Sequence, residues 1–352
     1  MHLQKWIATV VLVTVSIILL LIALFFAVVY FHDQGKILFP VSVNDEFSLD
    51  DDLSYPNQLV VNGSQLYAAG SGPILLQGVN IPDPSRLHNE NRFNKRYFQR
   101  IFSSGADVIR IPVHPDYWLS DEYYLYRYLD RIVQWCAEAN VYCIIDWHAF
   151  GNIITGEAEN VDYHEFDLKD ETYRFWEITS PYFQNAPHVL YELFNEPSGI
   201  SADDWSTEAH GLASFVRTRA PENVIIVSGT QWSRDLSWVN TNPVEIENIA
   251  YTAHIYPAHS QSLWDHWFGT TAENHPVFLT EWGWVPPSVE TAQGFLQGTQ
   301  EGYGEPLMEY AQEHGISWTA WTYDEEWEPQ MFYNVENQET TPYGRYVLEL
   351  LE

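Results

Sequence analysis

The chain is 352 residues long, 46% hydrophobic and 16% aromatic, which suffices for one large core or two ordinary ones. Its 48 acidic residues outnumber its 16 basic ones, and a net charge of -32 repels polyanions, so nucleic acid is excluded as a partner. The full complement of core formers separates the chain from the acidic disordered class. The charge therefore reads as a solvated acidic surface, suited to a salt-rich habitat or to ordinary secretion.

Residues 6–31 carry no charge. As a helix they would extend ~39 Å at ~1.5 Å per residue, enough to cross a ~30 Å hydrocarbon layer with tilt. A cleavable signal has a shorter apolar region and small residues at the cut. This one ends on Phe25-Phe26-Ala27-Val28-Val29-Tyr30-Phe31, an aromatic boundary. The expectation is an uncleaved membrane anchor over 1–32, with secretion after signal cleavage as the alternative. Lys5 precedes the segment, so the rest of the chain is expected outside a cell membrane crossed once. Residues 33–56 are polar and acidic, and read either as a self-repelling linker or as an ordered collar packed on the domain.

From residue 57 to 352 the pattern is regular. Val60-Val61-Asn62-Gly63 and then Leu66-Tyr67 predict a hairpin with an Asn-Gly turn. Eight short apolar runs follow, at 74–79, 107–113, 141–147, 189–194, 224–228, 249–255, 277–280 and 316–321. Amphipathic stretches alternate with them, at 92–103, 122–139, 171–183, 205–218, 263–271, 305–314 and 345–351. This is the arithmetic of an α/β fold of the (β/α)8 TIM barrel type, here one catalytic domain. A doubly wound sheet would show a Gly-rich phosphate turn after its first strand, where this chain has Gly78-Val79-Asn80-Ile81-Pro82. Cys136 and Cys143, the only cysteines, flank a helix-to-strand handover and are either two buried thiols or a short disulfide.

Barrel chemistry sits at the carboxyl ends of the strands. Those ends read Asn80, Arg110, Asp146-Trp147-His148, Asn195-Glu196, Gly229 with Trp232, His254 with Tyr256, Glu281-Trp282 and Trp321. Glu196 and Glu281 close two different apolar strands, and a pair of carboxylates so presented is what cleavage of a glycosidic bond requires. Arg110 lies too deep in Val108-Ile109-Arg110-Ile111-Pro112 to be solvated, and Glu192 and Glu281 are its candidate partners. His254 and Tyr256, two apart, face the same way and could reach one carboxylate. There is no His-x-His pair for a metal and no Gly-x-Ser-x-Gly elbow for a serine nucleophile.

The motifs Gly78-Val79-Asn80, Ile109-Arg110-Ile111-Pro112, Asp146-Trp147-His148, Tyr191 through Pro197, His254-Ile255-Tyr256-Pro257, Thr280-Glu281-Trp282-Gly283 and Trp318 through Trp321 occur in an order that resembles glycoside hydrolase family 5. The resemblance implies a retaining endo-acting β-glycanase with no cofactor and no metal, Glu196 as acid/base and Glu281 as nucleophile. It implies that Arg110 and Tyr256 hold Glu281 ionised, that Asn195 binds a sugar 2-hydroxyl, that His148 and His254 shape the central subsite, and that Trp321 forms its floor. Trp118, Trp147, Trp232, Trp284 and Trp327 stand on strand ends or loops of the same face and suit the apolar faces of pyranose rings, with core packing as the alternative for each. The expected activity is endo-β-1,4-glucanase, by a monomeric catalytic domain on a β-linked polysaccharide. A β-mannanase, a β-1,3-glucanase and a non-catalytic tethered carbohydrate receptor are the alternatives.

Overall fold

The computed structural model describes residues 14, 18–20, 43–49, 55–158, 166–291 and 293–352. Eight parallel strands close into a barrel in chain order: β1 Gln77–Asn80, β2 Val108–Val113, β3 Tyr142–Trp147, β4 Val189–Glu192, β5 Ile225–Ser228, β6 Ile249–Ile255, β7 Val277–Trp282 and β8 Ser317–Ala320, which pairs back onto β1. Strands β2 to β8 are buried at every position, as a parallel sheet covered on its outer face by helices must be. Their β-branched and aromatic residues suit that setting.

Local signals set the helix ends. Asn94, Asp167, Ser201 and Thr341 each cap a helix by accepting a backbone N–H with the side chain. Asn140 ends Asp130–Ala139 in the left-handed conformation, at φ 58°. Between β5 and β6 the chain forms two short turns, Thr230–Ser233 and the 3-10 turn Ser237–Asn240, in place of a long helix.

The hairpin forms from Leu59–Asn62 and Gln65–Ala68, with Pro73–Ile74 as a third strand. Its turn differs from the expected Asn-Gly. Asn62 pairs with Gln65, so the two-residue loop is Gly63-Ser64, and Gly63 has φ +62°. Glycine at the first central position is what a II′ hairpin turn needs. Leu59, Leu66 and Ala68 pack with Leu76, Val108, Ile144, Ile226 and Phe278 and close the amino-terminal end of the barrel. The first apolar run, expected whole at 74–79, is divided between this sheet and β1.

The stretch 33–56 is not entirely free linker. Phe47 is buried against Tyr182 and Phe183, and its N–H bonds the Tyr182 carbonyl at 2.9 Å. The collar alternative holds for that part. The expected anchor over residues 6–31 lies, apart from Thr14 and residues 18–20, outside the described residues. Among the described residues no helix is long and apolar enough to cross a membrane. Cys136 and Cys143 are free, buried thiols.

Candidate active site

Arg110, fully buried on β2, is the hub. Its Nε and Nη2 each donate to Glu192 at 2.8 Å, a bidentate pair. Nη1 donates to Glu281 Oε1 at 2.7 Å and Asn80 Oδ1 at 2.9 Å. Nη2 also reaches Asn195 Oδ1 at 2.7 Å and lies 3.1 Å from Asp146 Oδ2. Both partners expected for Arg110 are thus engaged at once. Inward parity puts them there: Asp146, Glu192 and Glu281 all project from their strands into the barrel.

One guanidinium cannot balance that much buried negative charge. His254 supplies the second cation. Its Nδ1 lies 2.8 Å from Glu196 Oε1 and 3.6 Å from Glu281 Oε2, and its Nε2 is 3.0 Å from Thr280 Oγ1. Thr280 passes its own hydroxyl hydrogen to Glu192 at 3.1 Å. Burial works against the imidazolium, but Glu281, Glu192 and Glu196 outweigh it and raise the His254 pKa to about 10. As strand parity suggests, His254 and Tyr256 both reach one carboxylate: Tyr256 donates to Glu281 Oε2 at 2.9 Å and His254 Nδ1 stands 3.6 Å from the same oxygen, although its shorter contact is to Glu196.

Asp146 and His148 lie 2.6 Å apart, and burial pushes the Asp146 carboxyl up and pulls His148 down to about 4. Glu196 is likewise shifted upward. Burial raises its pKa first, and the charge of Glu281 raises it further, although the His254 hydrogen bond opposes both. Glu281 goes the other way. Burial would raise it, but His254, Arg110 and His148 together hold it below the ordinary carboxylate value. One ligand-type atom each from Glu196, His254 and Glu281 lie within 4.8 Å of one another, the one such trio among the described residues. A metal ion there would compete with a protonated imidazole, which has no lone pair to offer.

Glu196 and Glu281 line a cleft of about 1220 Å³ at the carboxyl ends of the strands, with His254 buried beneath them. Trp321, Trp232 and Trp327 line it with His148, Phe150, Phe295, His114 and Tyr117. Trp321 lies parallel to His148, 5.4 Å between centroids and 5° between planes. Trp232 is presented by a turn in which Gln231, Trp232 and Ser233 all have positive φ, at 56°, 61° and 57°. That left-handed turn is tied by Ser233 Oγ to the Asn195 carbonyl at 2.7 Å and by the paired backbones of Thr230 and Asp235.

Three expected cleft aromatics lie elsewhere. Trp147 neighbours inward-facing Asp146 and so points out of the barrel, stacked on Phe175 at 4.5 Å with Nε1 bonded to Thr172. Trp284 is buried among Trp282, Tyr303, Tyr343 and Tyr346. Trp118 bonds Glu171 and packs edge-on to Phe175. Strand parity would have removed Trp147 from the cleft. Conversely, Asn80 and Asp146 stand among the expected strand ends and Glu192 among the expected partners of Arg110, but Thr280 had no role in the expected site, although it bonds both His254 and Glu192. Phe150, Phe295, His114 and Tyr117 come from short elements of two to six residues and their caps, too brief for a periodicity that separates lining from packing.

The model of the family described as cellulase (glycosyl hydrolase family 5) matches residues 68–326. An endoglucanase of Clostridium saccharobutylicum is 29% identical over 280 residues, covering 76% of this chain and 57% of that protein. An endoglucanase of Butyrivibrio fibrisolvens is 26% identical, covering 79% of this chain and 62% of its own length. This chain thus spans little more than half the length of these curated relatives. A solved β-glucanase of Saccharophagus degradans, in complex with cellotetraose, superposes with TM-score 0.80 at 28% identity, covering 90% of this chain and 97% of that one. With the barrel, the strand-end carboxyls and the family match in agreement, the chain belongs to glycosyl hydrolase family 5, the cellulase family.

Proposed function

We propose that this protein is a retaining endo-β-1,4-glucanase in which Glu281 is the nucleophile and Glu196 the acid/base. The observation that carries the reading is the pair itself: two carboxyls with oxygens within 4.8 Å, set in surroundings that push the Glu281 pKa down and the Glu196 pKa up. Retaining glycosidases keep their carboxyls ~5 Å apart, whereas inverting ones leave ~6.5–9.5 Å for a water. The endoglucanase relatives and the cellotetraose complex of the β-glucanase favour β-1,4-glucan among the β-glycans.

In this reading Arg110 and Tyr256 each hold one oxygen of Glu281, which aims the anion at the anomeric carbon. His254 occupies Glu196 Oε1 and leaves the other oxygen to present its proton to the glycosidic oxygen. Once Glu281 is esterified by the sugar its charge is gone, so Glu196 becomes more acidic and serves as base toward the incoming water. Asn195 gives Oδ1 to Arg110, while its buried Nδ2 has no acceptor among the described residues; that amide is the donor for a sugar hydroxyl. Trp321 is the floor under the reacting sugar, His148 its wall, and Trp232 the platform toward the leaving group.

Azide separates these roles. With an activated aryl β-cellobioside, Glu281→Gly plus azide is expected to yield the α-glycosyl azide, and Glu196→Ala plus azide the β-glycosyl azide. The same anomer from both variants would refute the assignment, wild-type hydrolysis rates in both would show that the chemistry lies at other residues, and no hydrolysis by the wild-type protein itself would favour a carbohydrate receptor. Carboxymethyl-cellulose, mannan and laminarin compared side by side decide the glycan. The proposal also places the domain outside the cell, tethered by residues 6–31, on the strength of their uncharged length and aromatic end. Recovery of the full chain in the soluble rather than the membrane fraction would count against the anchor.

A further inference from the structure

Outside the catalytic cluster, a second buried knot of charge fixes the segment that follows β8. Asp324, fully buried, lies 2.6 Å from Arg92 Nη1 and 3.3 Å from Arg86 Nη1, and it accepts the backbone N–H groups of Trp327 at 2.9 Å and Glu326 at 3.3 Å. Arg86 donates as well to Glu90 at 2.7 Å and Glu326 at 2.9 Å. Its guanidinium carbon stands 4.1 Å from the Trp327 ring centroid. Only 12 arginines occur in the chain, and two of them converge on this one loop. None of the knot's contacts involves Glu196, Glu281 or their partners.

What the knot fixes is an indole. Trp327 is half-buried, with one face against Arg86, and it lines the cleft beside Trp321. The two rings are 6.1 Å apart between centroids and 14° from parallel. A planar guanidinium on one face of an indole is an attractive contact, and it blocks that face and holds the ring in place. A ligand then meets a platform whose ordering cost has already been met.

We propose that Trp327 is the platform for the second sugar on the glycone side of the cleavage point, and that Arg86 and Asp324 are its positioning residues. The proposal rests on reading the cleft as a glucanase site. Its direction follows from the barrel order. The acid/base follows β4 and Trp232 follows β5, so the leaving group departs on that side. Strand β8 stands across the ring from β4 and beside β1, whose following loop carries Arg86. Sugars beyond the Trp321 floor therefore run toward Trp327.

Cellotetraose labelled at the reducing end tests this. In Trp327→Ala, kcat/KM is expected to fall about tenfold, mainly through KM, as for loss of one aromatic anchor. The labelled product should also move from cellobiose toward cellotriose, because the register that leaves the second glycone position empty is the one not weakened. Trp327→Phe should keep most of the wild-type pattern. Arg86→Met should shift products in the same direction by less, and Arg86→Lys, which keeps a cation over the ring, should partly restore them. Thermal midpoints measured on each variant report folding separately. An unchanged KM and product pattern in Trp327→Ala would overturn the assignment, and so would an equal loss in every register. If the wild-type protein does not cleave cellotetraose, the glucanase reading fails and this inference fails with it.

Discussion

At the scale of single residues, charge accounting decides which carboxyl is acid and which is anion. Arg110 and His254 supply two buried cations, which hold Glu192 and Glu281 below the ordinary carboxylate value, while the Glu196 pKa is raised. Activity is therefore expected to follow a bell in pH. The acid limb is protonation of Glu281, displaced below the ordinary carboxylate value, and the alkaline limb is loss of the raised Glu196 proton. Tyr256→Phe deletes a hydrogen bond to the ionised Glu281, so the Glu281 pKa should rise and the acid limb of kcat/KM move to higher pH. A donor to a charged group contributes ~1.5–3 kcal/mol, which puts the fall in kcat on the order of 10- to 100-fold. An acid limb that stays where it was would show that Tyr256 does not act on that anion.

At the scale of elements, the strands were legible because a strand covered on both faces has to be apolar throughout. Observed β6 coincides with the expected run at 249–255, and the others differ by a few residues at their ends. Three helix starts, expected at 171, 205 and 345, lie three residues earlier for a physical reason: Ala202–Arg217, for one, begins with Ser201 capping Asp204 and an acidic first turn, and apolar periodicity cannot register a polar turn. The proximity of Glu196 and Glu281 was legible from their position at or just beyond strand ends, whereas Trp147 and Trp284 were misread because aromatic character was weighed without strand parity. The left-handed turn holding Trp232 had no signal at all, since Gln231, Trp232 and Ser233 are ordinary residues held in a costly conformation by their surroundings. Gly229 is where that turn is most constrained. A Cβ there would sit 2.9 Å from the carbonyl oxygens of both Asp235 and Ser233. Gly229→Ala should therefore displace Trp232, destabilise by ~1–3 kcal/mol and raise KM for oligosaccharides more than it lowers kcat. A thermal midpoint and KM equal to wild type would show that the turn has room to yield.

At the scale of the whole molecule, a net charge of -32 opposes compaction, and salt relieves that self-repulsion by screening. The midpoint of thermal unfolding is expected to rise from millimolar to molar KCl, with activity retained. An activity optimum at low salt and loss in molar KCl would mark the acidity as incidental. The docking of Phe47 on Tyr182 and Phe183 bears on how far a tethered enzyme could roam. Were the chain free from Phe31 to Asn57, 26 residues at ~3.5 Å each would give a leash of ~90 Å. With Phe47 clasped to the barrel wall only 16 remain, and the leash is at most ~56 Å. An anchored enzyme so held would graze glucan lying close against its own cell and leave more distant fibres untouched.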